Sequence, residues 1–393
     1  MPFKECSIVS EREEFCRLAD AAGANVRELC RRWEISPQTG YKWLGRFRSG
    51  GALELEDRSR RPLSSPVRTT AEMEAQVVDV RRDHPAWGGR KIRRVLQVRG
   101  LVEVPSASTI TQILRRHALL DGPRAGEARA FKRFEHARPN DLWQMDFKGH
   151  FALEAGRCHP LTILDDHSRY SLELGACADE RTATVQARLE AVFRRYGLPR
   201  RILADNGSPW GSSGGEQHTR LTVWLLDLDV PVTHGRFYHP QTQGKEERFH
   251  RTLKAEVLAG RSFADLAQAQ AAFDAWRRIY NDVRPHEGIG LEPPSSRYAM
   301  SDRSMPDAID PPGYEPQAKV RRVQRHGWIS FKGRKISCSK AFVGRDVALR
   351  ATNADGVFDL CYRRHVLSKI DLRENIVKSV HHVPEHPSTL SPV

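Results

Sequence analysis

The chain has 393 residues, 39% apolar and 28% charged, long enough for several domains and too apolar for wholesale disorder. No apolar run approaches the roughly 20 residues that cross a bilayer, and the first residues, MPFKECSIVSEREEF, lack the apolar core of a secretion signal. Seven scattered cysteines with no C-x-x-C pair argue against a zinc ribbon or a disulfide framework, so a cytoplasmic protein without membrane contact is expected.

The net charge of +14 is unevenly spread. Residues 1–138 carry a balance of +9, residues 139–316 one of −4, and residues 317–372 again +9. Two basic wings around an acidic middle fit a polyanionic partner, of which nucleic acid is the commonest large one.

In chain order, residues 9–48 read as a compact helical unit. Val26, Leu29, Cys30 and Trp33 form one helical stripe, and Ser36 followed by Pro37 marks the start of the next helix. Tyr41, Leu44 and Phe47 are expected on its buried face. Two short helices around a tight turn describe a helix-turn-helix, assigned to residues 1–55. A basic linker with Arg58, Arg60 and Arg61 follows at 56–70. Residues 71–120 repeat the pattern, with Ser106 or Ser108 as a cap and Ile110, Ile113 and Leu114 as the buried face. A connector is expected at 121–138.

From residue 139 to about 300 short apolar strands alternate with helices, the signature of a mixed α/β sheet. A helix starts near Thr242, and Trp276 and Tyr280 lie on the packing face of the helix over 264–283. Residues 318–372 return to short alternating strands, expected as a small β-barrel, and 373–393 as a flexible tail.

Three acids stand at element ends in the acidic middle. Asp146 lies inside the strand WQMDF, Asp205 ends ILADNG, and Glu247 sits in the first turns of the helix from Thr242. A carboxylate in an apolar strand is costly unless a positive group compensates it, and divalent metal is the simplest such group where carboxylates converge. Such a trio suits two Mg²⁺ ions, or Mn²⁺, flanking one phosphate. Glu246 is an alternative third acid, and Glu256 lies on the same helix. Asp165 and Asp166, at a strand end near the acids, read as turn-forming residues, with tuning of the site by one of them as the alternative. His234, His239 and His250 are candidates for touching DNA or orienting carboxylates.

The segments LWQMDF, LTILDDHSRY, LADNGSPW and HGRFYHPQTQGKEERFHRTLKAE together resemble insertion-sequence transposases whose catalytic domain is similar to the retroviral integrase core. The resemblance implies a ribonuclease-H-like core at 139–300 and the cutting and joining of DNA at element ends. It places the family's metal-binding Asp, Asp and Glu on Asp146, Asp205 and Glu247. The 41 residues between Asp205 and Glu247 exceed the family spacing, and the surplus fits the glycine-rich loop at 207–215. The expected fold is therefore multidomain: all-α helix-turn-helix units, a central α/β core, and a terminal β-barrel.

Candidate contacts to double-stranded DNA are Lys42 and Arg46 in the first helical unit and Arg90, Lys91 and Arg94 in the second. Lys245, Arg248, Arg251 and Lys254 join them beside the third acid. Pairing two element ends implies at least a dimer on DNA, in a bacterial cytoplasm at the nucleoid. A DNA-binding regulator with a degenerate core and a nuclease without strand joining are the rival readings.

Overall fold

The computed structural model describes residues 8–58, 68–120, 135–211, 218–234, 244–373 and 376–379. Arg60 and Arg61, His239 and most of the 121–138 connector lie outside them. The chain forms two compact units, Met1–Arg68 and Thr69–Val393.

In the first unit α1 (Ile8–Ala19), α2 (Val26–Arg32) and α3 (Pro37–Gly50) close around Phe15, Cys16, Cys30, Trp43 and Leu44. The Ser36 hydroxyl accepts the Thr39 amide and Pro37 opens α3, as the sequence predicts. The buried face differs from expectation. Gly40, Trp43 and Leu44 are buried and Phe47 is half-buried, whereas Tyr41 is 52% exposed. One residue rotates a helix by about 100°, so a face centred on Gly40 turns Tyr41 to solvent. Gly40 is needed there because a Cβ would lie 2.3 Å from Cys30 Sγ.

The second unit begins with α4 (Ala71–Asp83), α5 (Gly89–Val98) and α6 (Ala107–Arg116). They enclose Val77, Trp87, Ile92, Leu96, Ile110 and Leu114, and the Ser106 hydroxyl caps α6. A mixed sheet follows: β1 (Trp143–Phe147), β2 (Phe151–Leu153), β3 (Gly156–Asp165), β4 (Ser171–Cys177), β5 (Ile202–Ala204) and β6 (Val232–His234). Its order is β2-β3-β1-β5-β6, with β4 also paired to β3. Strands β1 and β3 are antiparallel, while β1, β5 and β6 run parallel.

Strand alternation sends Trp143, Met145, Leu161 and Ile163 to one face, against α7 (Thr182–Tyr196) and α8 (Arg220–Asp227). Leu164, Leu174 and Ala176 meet α9 (Gly244–Leu253) and α10 (Leu266–Asp282) on the other. Trp276 and Tyr280 are buried in that second layer, as expected.

The terminal module contains β7 (Lys319–Arg322), β8 (Trp328–Phe331), β9 (Arg334–Ser337), β10 (Asp346–Ala351), β11 (Val357–Tyr362), β12 (His365–Asp371) and β13 (Ile376–Ser379). It is an antiparallel sheet in the order β13-β12-β11-β10-β7 with a separate hairpin β8-β9. Among the described residues no ladder joins hairpin and sheet into the expected barrel. They share one apolar core instead, including Ile329, Phe331, Ile336, Leu349 and Tyr362, to which Val223 and Leu226 of α8 contribute. Within the expected tail at 373–393, Ile376–Ser379 pairs with β12 as an edge strand, and residues 380–393 lie outside the described residues. No helix among the described residues is long and apolar enough to cross a membrane.

Candidate active site

The sheet brings the first two acids level. The parallel register pairs Trp143 with Ile202 and Gln144 with Leu203. Two residues further on, Asp146 and Asp205 occupy matching positions at the carboxyl ends of neighbouring strands, and matching positions point to one face. Burial pushes the Asp146 carboxyl up to about 7, and the neighbouring charges of Asp205, Glu180 and Glu247 push the same way. Asp146 is thus an acid short of positive charge. On Asp205, Oδ1 accepts the Trp210 indole N–H and, at 3.0 Å, the Gly207 amide. His234 Nδ1 donates to the Asp205 carbonyl at 2.7 Å.

Helix α9 carries both candidates for the expected third acid, and they differ. Glu247 is exposed on the first turn and its charge acts on Asp146. Glu246 is 1% exposed and shares the buried face of α9 with Phe249 and Leu253. Its Oε2 lies 2.9 Å from Thr162 Oγ1, and Thr162 is the β3 partner of Asp146. Burial, then Asp146, raises the Glu246 carboxyl well above its ordinary range. His250 shares this inward face rather than that of Glu247: its Nε2 is 2.9 Å from Thr162 Oγ1. Burial and then Lys148 depress His250 to about 4, leaving a neutral ring beside the acids.

The expected cations divide. Arg248 and Arg251 are exposed along α9, and Lys254 is exposed in the helical turn that follows it. Lys245 is not available for phosphate, because its ammonium pairs with Asp166, a carboxylate with no exposed surface. Burial outweighs that partner and depresses the Lys245 ammonium to about 8. Asp166 also accepts Gln144 Nε2 at 2.7 Å and the His136 amide at 2.8 Å, so it holds α9 to β1 rather than shaping a turn. Asp165 does shape the turn, since its Oδ2 accepts the amide and hydroxyl of Ser168.

In the second helical unit Arg90 is exposed. Arg94 instead pairs with Glu292, and Lys91 is half-buried, held at about 8 by burial and Arg284 against Glu256 and Glu287. These two face the core rather than solvent. In the first unit Lys42 is exposed, and Lys42 and Arg46 lie 4.9 and 4.8 Å from the centre of the Trp43 ring.

Sequence reasoning missed three residues of this site, Thr162, Lys148 and Trp210, whereas His250 does stand beside carboxylates, those of Asp146 and Glu246. Only Trp210 left a signal, an indole closing the LADNGSPW motif. Among the described residues no three His, Cys, Asp or Glu side chains are arranged tightly enough to cage a metal. Mg²⁺ does not need a cage, because it keeps several waters and takes one or two carboxylates. The hard oxygens of Asp146 and Asp205, level at adjoining strand ends, fit such an ion.

Comparison with known proteins bears on the same segments. The family described as integrase core domain matches residues 136–240 and, in a second form, 228–294. The C-terminal domain of the IS481 family transposases matches 318–378. A helix-turn-helix domain matches 11–62 and a homeodomain-like domain 39–114. An insertion element IS476 protein of Xanthomonas euvesicatoria is 27% identical over 58% of this chain and 65% of its own length. An insertion element IS407 protein of Burkholderia multivorans is 26% identical over 43% of this chain and 59% of its own. The chain thus spans less than two thirds of either relative. The Gag-Pol polyprotein of baboon endogenous virus is 30% identical over 49% of this chain and 11% of the polyprotein. Among solved structures, a chain of the simian T-cell lymphotropic virus intasome covers 78% of this chain and 96% of its own at 15% identity, with a TM-score of 0.36. Over residues 136–294 and 318–378 the chain is thus similar to integrase core domains and to the C-terminal domain of IS481 family transposases, and its insertion-element relatives point the same way.

Proposed function

We propose that the chain is a DNA transposase that binds the ends of an insertion sequence, cuts a phosphodiester there and joins the freed 3′-hydroxyl to target DNA. The observation that supports this reading is the parallel register of β1 and β5, which brings Asp146 and Asp205 level at adjoining strand ends, with the Asp146 carboxyl pushed up to about 7 by burial and by the Asp205 charge. Glu247, exposed on α9 and acting electrostatically on Asp146, is the third acid of the reading.

Mg²⁺, with Mn²⁺ able to replace it, would activate the attacking oxygen and stabilise the departing one, as paired ions do at phosphoryl-transfer sites. The chain's own residues position the DNA. Exposed Arg248, Arg251 and Lys254 offer three cations beside the acids for backbone phosphates. Exposed Lys42 and Arg90, with Arg46, serve the helix-turn-helix units. In the cutting step a water oxygen bonds to phosphorus as the P–O3′ bond breaks. In the joining step the 3′-oxygen bonds to a target phosphorus and displaces a target 3′-oxygen. Both are in-line displacements, so one acidic site serves both, and no covalent enzyme–DNA bond is required. Two element ends joined together call for at least a dimer on DNA.

The test incubates the full chain with a preprocessed element-end oligonucleotide, target plasmid and Mg²⁺. Joined product supports the transposase. Cutting without joining identifies a nuclease, and binding alone a regulator; either result overturns the proposal.

A further inference from the structure

The carboxylate of Asp205 is held by an unusual partner. The main chain of Asp205 is fixed by its place after β5 and by His234 on its carbonyl. Its side chain is fixed separately. Trp210, only 1% exposed, donates its indole N–H to Oδ1, and the Gly207 amide donates to the same oxygen. Two donors on one oxygen stop the carboxylate from rotating. Oδ2 has no hydrogen-bond partner among the described residues.

Trp210 is itself fixed from the other acid's strand. Its ring stacks on Phe147, with centroids 5.4 Å apart and planes 13° from parallel. Phe147 directly follows Asp146 in β1. One indole therefore ties the strand of the first acid to the side chain of the second. The turn that returns Trp210 to Asp205 is tight: the Gly211 amide donates to the Gly207 carbonyl at 2.6 Å. A Cβ on Gly211 would lie 2.2 Å from the Asn206 carbonyl oxygen, so a larger residue there cannot be accommodated.

We propose that Trp210 is a positioning residue for Asp205, whose indole N–H occupies Oδ1 and so presents Oδ2 to a divalent cation. An indole suits this task because its N–H only donates and cannot itself ligate the ion. The proposal rests on reading Asp205 as a metal ligand. Partners that orient a metal ligand typically change metal affinity by about 10–100-fold when removed.

The test measures Mn²⁺ binding to the full chain without DNA, by electron paramagnetic resonance of free Mn²⁺. Trp210→Phe keeps a stacking ring and loses only the donor. The expected result is Mn²⁺ affinity weakened by about 10-fold or more, with a thermal midpoint close to that of the parent chain in metal-free buffer. Asp205→Asn is the reference and should remove that binding. If Trp210→Phe binds Mn²⁺ like the parent while Asp205→Asn does not, the role of Trp210 is refuted and the ligand survives. If Asp205→Asn binds like the parent, the ligand assignment fails and takes the proposal with it. Should Trp210→Phe not fold, indole ¹⁵N labelling of the parent chain, which has eight tryptophans, gives the answer. A Mg²⁺ titration should shift one indole N–H signal, and eight unmoved signals would contradict the proposal.

Discussion

Glu246 and Glu247 differ by one position on α9 and live in opposite surroundings. Glu246 faces Thr162 and His250 under the sheet, while Glu247 faces solvent near Asp146. We expect Glu247→Gln to abolish joining and Glu246→Gln, whose amide can still meet Thr162, to retain it. The reverse pattern in a joining assay would transfer the third ligand to Glu246. Lys245 teaches a related lesson. In the sequence it is one more cation beside an acid, like Arg248 and Arg251. Only the fold reveals that Asp166 is buried opposite it. Removing one partner of a buried pair leaves an uncompensated charge, so Lys245→Met should destabilise the second unit by about 3–5 kcal/mol. Denaturant unfolding checks this; a loss of DNA affinity with unchanged stability would show a phosphate contact instead. Asp146 and Asp205 were legible because a charged residue inside an apolar run is conspicuous. The Trp210 donor, an inward His250 and the burial of Lys245 depend on contacts distant in sequence.

At the scale of elements, local chemistry read most clearly. Ser36 and Ser106 cap their helices where the sequence placed them. On α3 Leu44 is buried as expected and Tyr41 is not, because Gly40, which has no side chain to count as apolar, takes the place against Cys30 and Phe15. A glycine also governs the α5–α6 crossing. A Cβ on Gly89 would lie 2.3 Å from the Ala107 carbonyl oxygen. Gly89→Ala should therefore cost about 1–3 kcal/mol through forced separation of the two helices, read as a lowered unfolding midpoint. An unchanged midpoint would mean the helices can part freely. The barrel was expected from strand alternation, which reports faces but not which edges pair. The observed sheet and hairpin satisfy the same alternation.

At the scale of the whole molecule, the two helical units are not equivalent. The first has its own core and forms a separate compact unit. The second packs Ile279 of α10 against its core and pairs Arg94 with Glu292. Repetition of the pattern in sequence concealed this difference, because nothing local marks Lys91 and Arg94 as facing protein rather than solvent. Residues 69–393 should accordingly fold without the first unit, whereas removal of 1–120 should expose Ile279 and lower stability. Equal unfolding midpoints for the two truncations would contradict that coupling.

The junction also sets a pH dependence. His286 is buried beside Tyr280, its Nε2 donating to the Tyr280 carbonyl at 3.2 Å. Burial first, then Arg284, with Lys91 and Arg169 adding to it, depresses the ring to about 3. The unfolded chain binds a proton below about pH 6.5 that the folded one refuses. This stability is complete above that pH and is lost as pH falls toward 3, amounting to about 2 kcal/mol between pH 7 and 5. His286→Asn should flatten that part of the acid limb; an unaltered limb would assign the loss to other groups.

The proposed chemistry requires Asp146 to act at the phosphate and not merely in the fold. Joining of a preprocessed element end to plasmid DNA in Mg²⁺ should disappear in Asp146→Asn while binding of the same end persists. Near-normal joining by that variant would contradict the assignment of the site.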